Sequence, residues 1–246
     1  MKTIISHHAA LTRAALLKLG GLGLAAGATV IWRGAVVARL ASAAASPAVG
    51  CLLAPEQTQG PYYIPAEKVR TNIAERRPGT PLTLRLSVVD ATTCAPLKGA
   101  AVDVWHCDAG GVYSGFESAS AGGAPGGPGG PTDKDTFLRG IQRTNARGAC
   151  AFQTIYPGWY RGRTVHIHVT VHLGGAIVHT GQLYFPDTLT DRVYLAAPYR
   201  ARAAARDTRN ADDGIYAAGG AQSTLTMTRG GQGGYTGAIT LGVRRS

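Results

Sequence analysis

His166 and His168 stand two residues apart in the run Thr164-Val-His-Ile-His-Val-Thr-Val171. The run is rich in β-branched residues and reads as a strand. Side chains two apart on a strand share a face, so both imidazoles project together while Val165, Ile167 and Val169 cover the other side. Two imidazoles on one rigid face are half of a first-row metal site. The plainer alternative is a pair of half-exposed surface histidines, and the choice depends on what else the chain brings nearby. Just upstream lie Tyr156, Tyr160, Arg161 and Arg163, with Pro157-Gly158 supplying a turn that can fold a tyrosine back towards the histidines. A second stretch, Trp105–Ser114, leaves a strand, enters a glycine-rich turn and emerges at Tyr113. Loops at strand ends are where catalytic groups are usually placed.

The elements that must hold these residues are short. Leu82–Val89 alternates, a turn follows at Asp90–Lys98, and Ala101–His106, Thr136–Arg143, Cys150–Ile155 and Ile177–Phe185 give further strand signals around the His-x-His run. Short strands, frequent turns and no long helical pattern predict an all-β fold, an antiparallel β-sandwich with long active-site loops. Gly122–Pro131 is almost wholly Gly, Pro and Ala and reads as a flexible loop. In the segment Ala54–Gly79, Gly and Pro forbid a regular helix, and the adjacent Tyr62 and Tyr63 either wall a pocket or pack on the sheet.

The first 46 residues read differently. Lys2, Arg13 and Lys18 precede an apolar Gly- and Ala-rich run from Leu19 to Ile31, and Ala41–Ser46 offers small residues for cleavage. Thr12–Lys18 resembles a twin-arginine export signal lacking its second arginine. The expected organisation is an export signal or anchor over 1–46, an extended arm over 47–80, and a sandwich catalytic domain with a C-terminal tail over 81–246. The predicted location is periplasmic or extracellular, with membrane contact only through the N-terminal segment if it stays uncleaved. Four cysteines, Cys51, Cys94, Cys107 and Cys150, suggest disulfides in an exported chain, with three connectivities open. Net charge is +11, but residues 1–50 hold five basic and no acidic residues, which leaves 20 basic against 14 acidic, or +6. Much of that excess lies between Arg192 and Arg209. No aromatic interleaving and no nucleic-acid motif accompanies it, so no nucleic-acid partner is expected.

Together the motifs resemble the intradiol ring-cleavage dioxygenases, which include catechol 1,2- and protocatechuate 3,4-dioxygenases. They are Trp105-His-x-x-x-x-Gly-x-Tyr113-Ser114, then Thr154-Ile-x-Pro-Gly-x-Tyr160 with Arg163-x-x-His166-Ile-His168, and Gly181-Gln-Leu-Tyr-Phe185. The opening Cys51…Gly60-Pro-Tyr-Tyr63 looks like the exported, single-chain branch. The resemblance covers roughly residues 51–190. It implies a non-haem Fe(III) cofactor held by Tyr113, Tyr160, His166 and His168, and a small aromatic diol cleaved with O2 between its hydroxylated carbons to a cis,cis-muconate. It implies catalytic roles for Arg163, as a fixed positive charge, for Gln182 beside it, and for Tyr160, as a ligand that leaves on substrate binding. The family pattern puts Tyr156 at a variable position. The chemistry is consistent: a free tyrosine has a pKa of about 10, so two ionised tyrosines at neutral pH need a hard cation nearby. Tyr62, Tyr63, Val112 and Trp159 are the expected pocket lining.

Two other readings compete. A zinc or copper enzyme would use His166 and His168 with His172 or His179, but zinc has little preference for tyrosinate. An exported β-sandwich metal- or carbohydrate-binding module would use the tyrosines as a platform. Oligomeric state is not readable from the sequence.

Overall fold

The computed structural model describes residues 51–65, 68–120 and 130–245; the export segment expected at 1–46 lies outside them. Strand β1 (Pro81–Asp90) shows the rule by which the strands form. Leu82, Leu84, Leu86 and Val88 are buried, and the residues between them reach solvent wholly or in part. The other strands are β2 (Ala101–Trp105), β3 (Arg139–Arg143), β4 (Ala149–Ile155), β5 (His166–Leu173), β6 (Ala176–Tyr184), β7 (Thr226–Arg229) and β8 (Tyr235–Val243). Three short helices, α1 (Glu117–Ser120), α2 (Asp187–Val193) and α3 (Gly214–Ala217), lie in the connections.

The strands form two four-stranded sheets, ordered β4-β1-β8-β7 and β3-β2-β5-β6. Between them, Leu82, Leu84, Leu86 and Val88 meet Val102, Val104, Ile167, Val169 and Val171 in one apolar cluster. Each such side chain stabilises the sandwich by roughly 1.5–3 kcal/mol of transfer free energy. The pairs are antiparallel as expected, with one exception: β1 runs parallel to β8. That exception comes from the tail. β7 and β8, which the sequence reading did not recognise, return the chain to the first sheet, and β8 sits inside it between β1 and β7.

Because β5 turns Ile167, Val169 and Val171 into the sandwich, its histidine face looks the other way. That outer face would be solvated in a bare sandwich. Here β5 is buried on both faces from His166 to Val171, because the arm and the loops cover it. The arm is tied at its start by a disulfide between Cys51 and Cys94 and bridges to β8 at Leu53, to β3 at Val69 and to β4 at Asn72. Cys107 and Cys150 are free thiols, so only one pair of the even count is joined. Among the described residues no helix is long and apolar enough to cross a membrane.

Candidate metal and active site

Strand pairing sets out the floor of the site. Arg139 of β3 pairs with Trp105 of β2, Trp105 with His168 of β5, and His168 with Gln182 of β6. One row of side chains thus crosses all four strands of the second sheet, and the adjoining pair is His166 with Tyr184. Trp105 lies flat on the His168 imidazole, centroids 4.9 Å apart and 5° from parallel. His166 and His168 are 2% and 1% exposed, which excludes the surface-histidine alternative. Gly60 of the arm passes so close that a Cβ there would meet His168 Cε1 at 3.0 Å.

Two loops deliver the tyrosines. Tyr113 is held by its amide, which donates to Ser120 Oγ (3.0 Å), and by its neighbour Ser114. Ser114 Oγ and carbonyl take two charge-assisted bonds from the buried Arg139 (2.9 and 2.7 Å). The Tyr160 loop is locked against it at Gly111, whose φ of +89° few other residues tolerate and whose Cβ would collide with the Trp159 carbonyl at 2.3 Å. The two phenol rings meet edge to face, centroids 5.7 Å apart, and Tyr62 of the arm stacks on Tyr113 at 4.6 Å.

The polar tips converge. Tyr160 Oη is 3.1 Å from His166 Nε2, which is 3.2 Å from His168 Nε2. His166 Nδ1 lies 2.6 Å from the Thr164 carbonyl, which can only accept, so Nδ1 carries the proton and Nε2 one lone pair. Tyr160 and His168 both contend for that lone pair. The buried Tyr113 hydroxyl has only the neighbouring Tyr160 phenol as a polar partner, and His168 Nδ1 has none; leaving a buried polar group unpaired costs roughly 1–3 kcal/mol. Burial, with the neighbouring Tyr160, pushes the Tyr113 phenol well above its ordinary pKa. Burial also raises Tyr160, against the pull of Arg163. The imidazoles move the other way, His166 to about 3 through burial and then Arg163, and His168 well below its ordinary value through burial, His166 and Arg163. Without a cation every donor is neutral and the lone pairs are over-subscribed. A hard first-row cation would consume both Nε2 lone pairs and bring the phenols to phenolate, so the donor set fits such an ion. Ligands about 2.0–2.2 Å from one ion and roughly at right angles stand about 3 Å apart, as these nitrogens do. Among the described residues no cluster of three or more His, Cys, Asp or Glu could hold a metal.

Beside the donors, Arg163 gives Nη2 to Gln182 Oε1 (2.5 Å) and Nε to Asp213 Oδ2 (2.9 Å). Gln182 in turn donates from Nε2 to the Thr58 carbonyl (3.0 Å), and Tyr184 Oη lies 3.2 Å from its Oε1. Burial alone would raise the Asp213 carboxyl, but Arg163 and the Thr164 amide hold it below the usual carboxylate value.

The structure therefore gathers Tyr113, Tyr160, His166, His168, Arg163, Gln182 and Tyr62, with Tyr63 one layer back against Trp105 (4.8 Å). Five residues fall elsewhere. Tyr156 joins the sandwich cluster, its hydroxyl 2.7 Å from Thr190 Oγ1. The Trp159 ring lies under the Arg202 guanidinium (4.0 Å) in a separate groove with Tyr194 and Tyr199, because successive residues of the loop point opposite ways. Val112 lines a surface hollow of about 630 Å³ with Arg77, Asp108 and Glu117, again off the site. His172 follows a register shift after Val171 and is half-buried. His179 pairs across from Val171, on the opposite face from the histidine pair, and binds Glu56 (2.7 Å). Neither joins a zinc or copper set. Sequence reasoning missed Asp213 and Arg139, whose partners Arg163 and Ser114 stand 50 and 25 residues away.

A family model described as "Dioxygenase" matches residues 58–215. Among solved structures, an intradiol ring-cleavage dioxygenase from Tetranychus urticae is 35% identical, with 79% of this chain and 95% of that one covered and a TM-score of 0.73. The dioxygenase domain of a dioxygenase carbohydrate-binding protein fusion from Streptomyces sp. SirexAA-E is 30% identical over 79% of this chain and 99% of that one, TM-score 0.58. The 3-chlorocatechol 1,2-dioxygenase of Rhodococcus opacus 1CP, at 22% identity, 78% and 72% coverage and a TM-score of 0.55, shares the fold. No curated protein matches. With the family model spanning most of the chain and two structures at 30% identity or more covered almost end to end, the chain belongs to the intradiol ring-cleavage dioxygenases.

Proposed function

We propose that this chain holds a non-haem iron(III) through Tyr113, Tyr160, His166 and His168 and opens the ring of a small catechol-type diol with O2, between the two hydroxylated carbons, to give a cis,cis-muconate. The supporting observation is the convergence of Tyr160 Oη and both Nε2 atoms in steps of 3.1 and 3.2 Å beside the fully buried Tyr113. Iron(III) bound there supplies a Lewis-acidic centre that withdraws electron density from the diol and readies its ring for O2. The residues do the rest. Tyr160 is half-buried while Tyr113 is fully buried, so Tyr160 is the phenol that can swing out. As a phenolate it accepts one diol proton at Oη, which lets the substrate enter as an anion without adding net charge to the site. Arg163, a permanent cation held beside Tyr160, stabilises negative charge that develops on the ring, and the Gln182 amide fixes the guanidinium plane. Tyr62, stacked on Tyr113, excludes water from one side. Both oxygen atoms of O2 end in the product, so its mass equals that of diol plus O2.

The test is oxygen uptake by the purified iron-loaded protein against a panel of catechols, with metal analysis and product mass. Uptake with a coloured tyrosinate–iron protein is expected. Stoichiometric zinc, a colourless iron-loaded protein, or no uptake with any catechol would overturn the proposal; the last with no metal bound would leave a binding module. We infer also that the mature chain works outside the cytoplasm. The basic, apolar and small-residue order of residues 1–50 and the Cys51–Cys94 disulfide support this. Mass spectrometry in the native host should find cleavage between Ala41 and Cys51, and an intact cytoplasmic N-terminus would refute it.

A further inference from the structure

We propose that Asp213 is a positioning residue for ring cleavage: its carboxylate holds the Arg163 guanidinium and the Thr164 backbone together, and so orients both the cation and the imidazole that the reaction uses. This rests on the function proposed above. Asp213 is 2% exposed and sits in the tail, immediately before α3. Its two oxygens accept four bonds, and these divide cleanly. Oδ1 takes the amides of Ile215 (2.8 Å) and Tyr216 (3.2 Å), which is ordinary capping of α3. Oδ2 takes Arg163 Nε (2.9 Å) and the Thr164 amide (2.8 Å), both in the site loop.

The second pair is what capping does not require. Helix caps work well at the surface, whereas burying a carboxylate against an arginine costs desolvation that only good pairing offsets. The consequences run into the site on two lines. Arg163, fixed at Nε, can present its planar fork in one orientation only, with Nη2 on Gln182 Oε1. Thr164, fixed at its amide, offers its carbonyl to His166 Nδ1 (2.6 Å), which sets the tautomer and tilt of that ring. Asn210 reinforces the same latch, its Oδ1 2.6 Å from Thr164 Oγ1 and its Nδ2 donating to the Phe185 carbonyl (2.9 Å). A tail outside the sandwich strands thus sets the aim of a group inside the site.

The test compares the iron-loaded full chain with Asp213→Asn, Asp213→Ser, Arg163→Lys and the two double variants. Asp213→Asn keeps the shape and loses the charge; Asp213→Ser keeps a capping oxygen but shortens the reach to Arg163. Iron content, Tm, kcat, KM and the visible band of the anaerobic diol complex are measured for each. Both single variants should retain iron and lose kcat by roughly 10–100-fold, the scale of a small misplacement in a reacting site, with KM changing less than about threefold. In the Arg163→Lys background the same Asp213 changes should cost clearly less in kcat than in wild type, because one of the two groups they act through is already altered and only the Thr164–His166 line remains. The band shift that Asp213→Asn causes should shrink likewise, which reads the cycle without turnover. Unchanged kcat in both single variants, equal losses in both backgrounds, or loss of iron or fold in both would overturn the positioning role. A wild-type protein without iron or without O2 uptake sinks the proposed function instead, so the two failures are distinguishable.

Discussion

Tyr156 and Tyr160 leave one loop four residues apart and end in opposite surroundings. The Tyr156 hydroxyl has Thr190 as a partner, and its ring packs on Phe185 (4.4 Å) and beside Tyr194 in the sandwich cluster. Around Tyr160, two groups contend for one imidazole lone pair, the Tyr113 hydroxyl has only Tyr160 beside it, and His168 Nδ1 goes without a partner. Burial raises the pKa of both phenols, so desolvation alone does not separate a ligand from a core residue. Partner count does. Where each buried polar atom is satisfied, the region serves stability; where several compete or stand alone, the region is arranged for something that arrives later.

The sharpest way to break this comparison is to remove a donor from the crowded side. His166→Ala should cost more iron affinity than the ~10–100-fold typical of losing an outer partner of a ligand, and turnover should vanish with it. Metal analysis of the purified variant checks this, and stoichiometric iron in it would move the ligand set off this face. Tyr160→Phe comes next. Tyr113 remains, so the visible band should shift but persist, while turnover falls by about 10²–10⁴-fold because the proton acceptor is gone. Retained wild-type kcat in that variant would withdraw the role of Tyr160.

The satisfied side should respond in stability and not in metal content. His106 has both ring nitrogens engaged, Nδ1 with the Cys107 carbonyl (2.8 Å) and Nε2 with Thr154 Oγ1 (2.7 Å). Burial lowers its pKa from 6.5 to about 4. The unfolded chain therefore takes up this proton first as pH falls. The contribution is fully present above pH 6.5, is lost between 6.5 and about 4, and changes no further below that. It amounts to about 3 kcal/mol. Denaturant unfolding of wild type and His106→Gln across that window is the measurement: the variant should lose less stability on acidification, and identical slopes would refute the assignment.

How much of this was readable from the chain divides along the same line. The His-x-His pair was legible because strand parity is local, and Tyr113 and Tyr160 because each ends a short motif. The sandwich was legible from alternation such as that of β1. β8 was not, since Gly237 and Gly242 interrupt its apolar pattern, and its place beside β1 is a pairing across most of the domain. Asp213 and Arg139 carry no local signature; only folding brings them to Arg163 and Ser114. Trp159 and Val112 misled for the reverse reason. Both are sequence neighbours of expected ligands, and adjacent side chains in an extended loop point apart, so nearness in sequence put them in the wrong groove.

Tyr156→Phe should have the smallest effect and settles the register of the loop. The change deletes one hydroxyl whose partner, Thr190 Oγ1, also lies 3.3 Å from the Pro186 carbonyl and can donate there instead. The Thr190 side therefore stays satisfied, and the loss is one net hydrogen bond, ~1 kcal/mol of stability. The phenyl ring keeps its packing on Phe185, so no cavity opens. Nothing in the variant touches Tyr160 or the histidines, and kcat should stay within about twofold of wild type, inside the additivity expected of separate sites. Unfolding midpoints and steady-state turnover on the same preparation check both halves. If Tyr156→Phe abolishes turnover while Tyr160→Phe does not, the leaving ligand is four residues upstream of where this structure puts a phenol beside His166, and the contrast between the two regions fails with it.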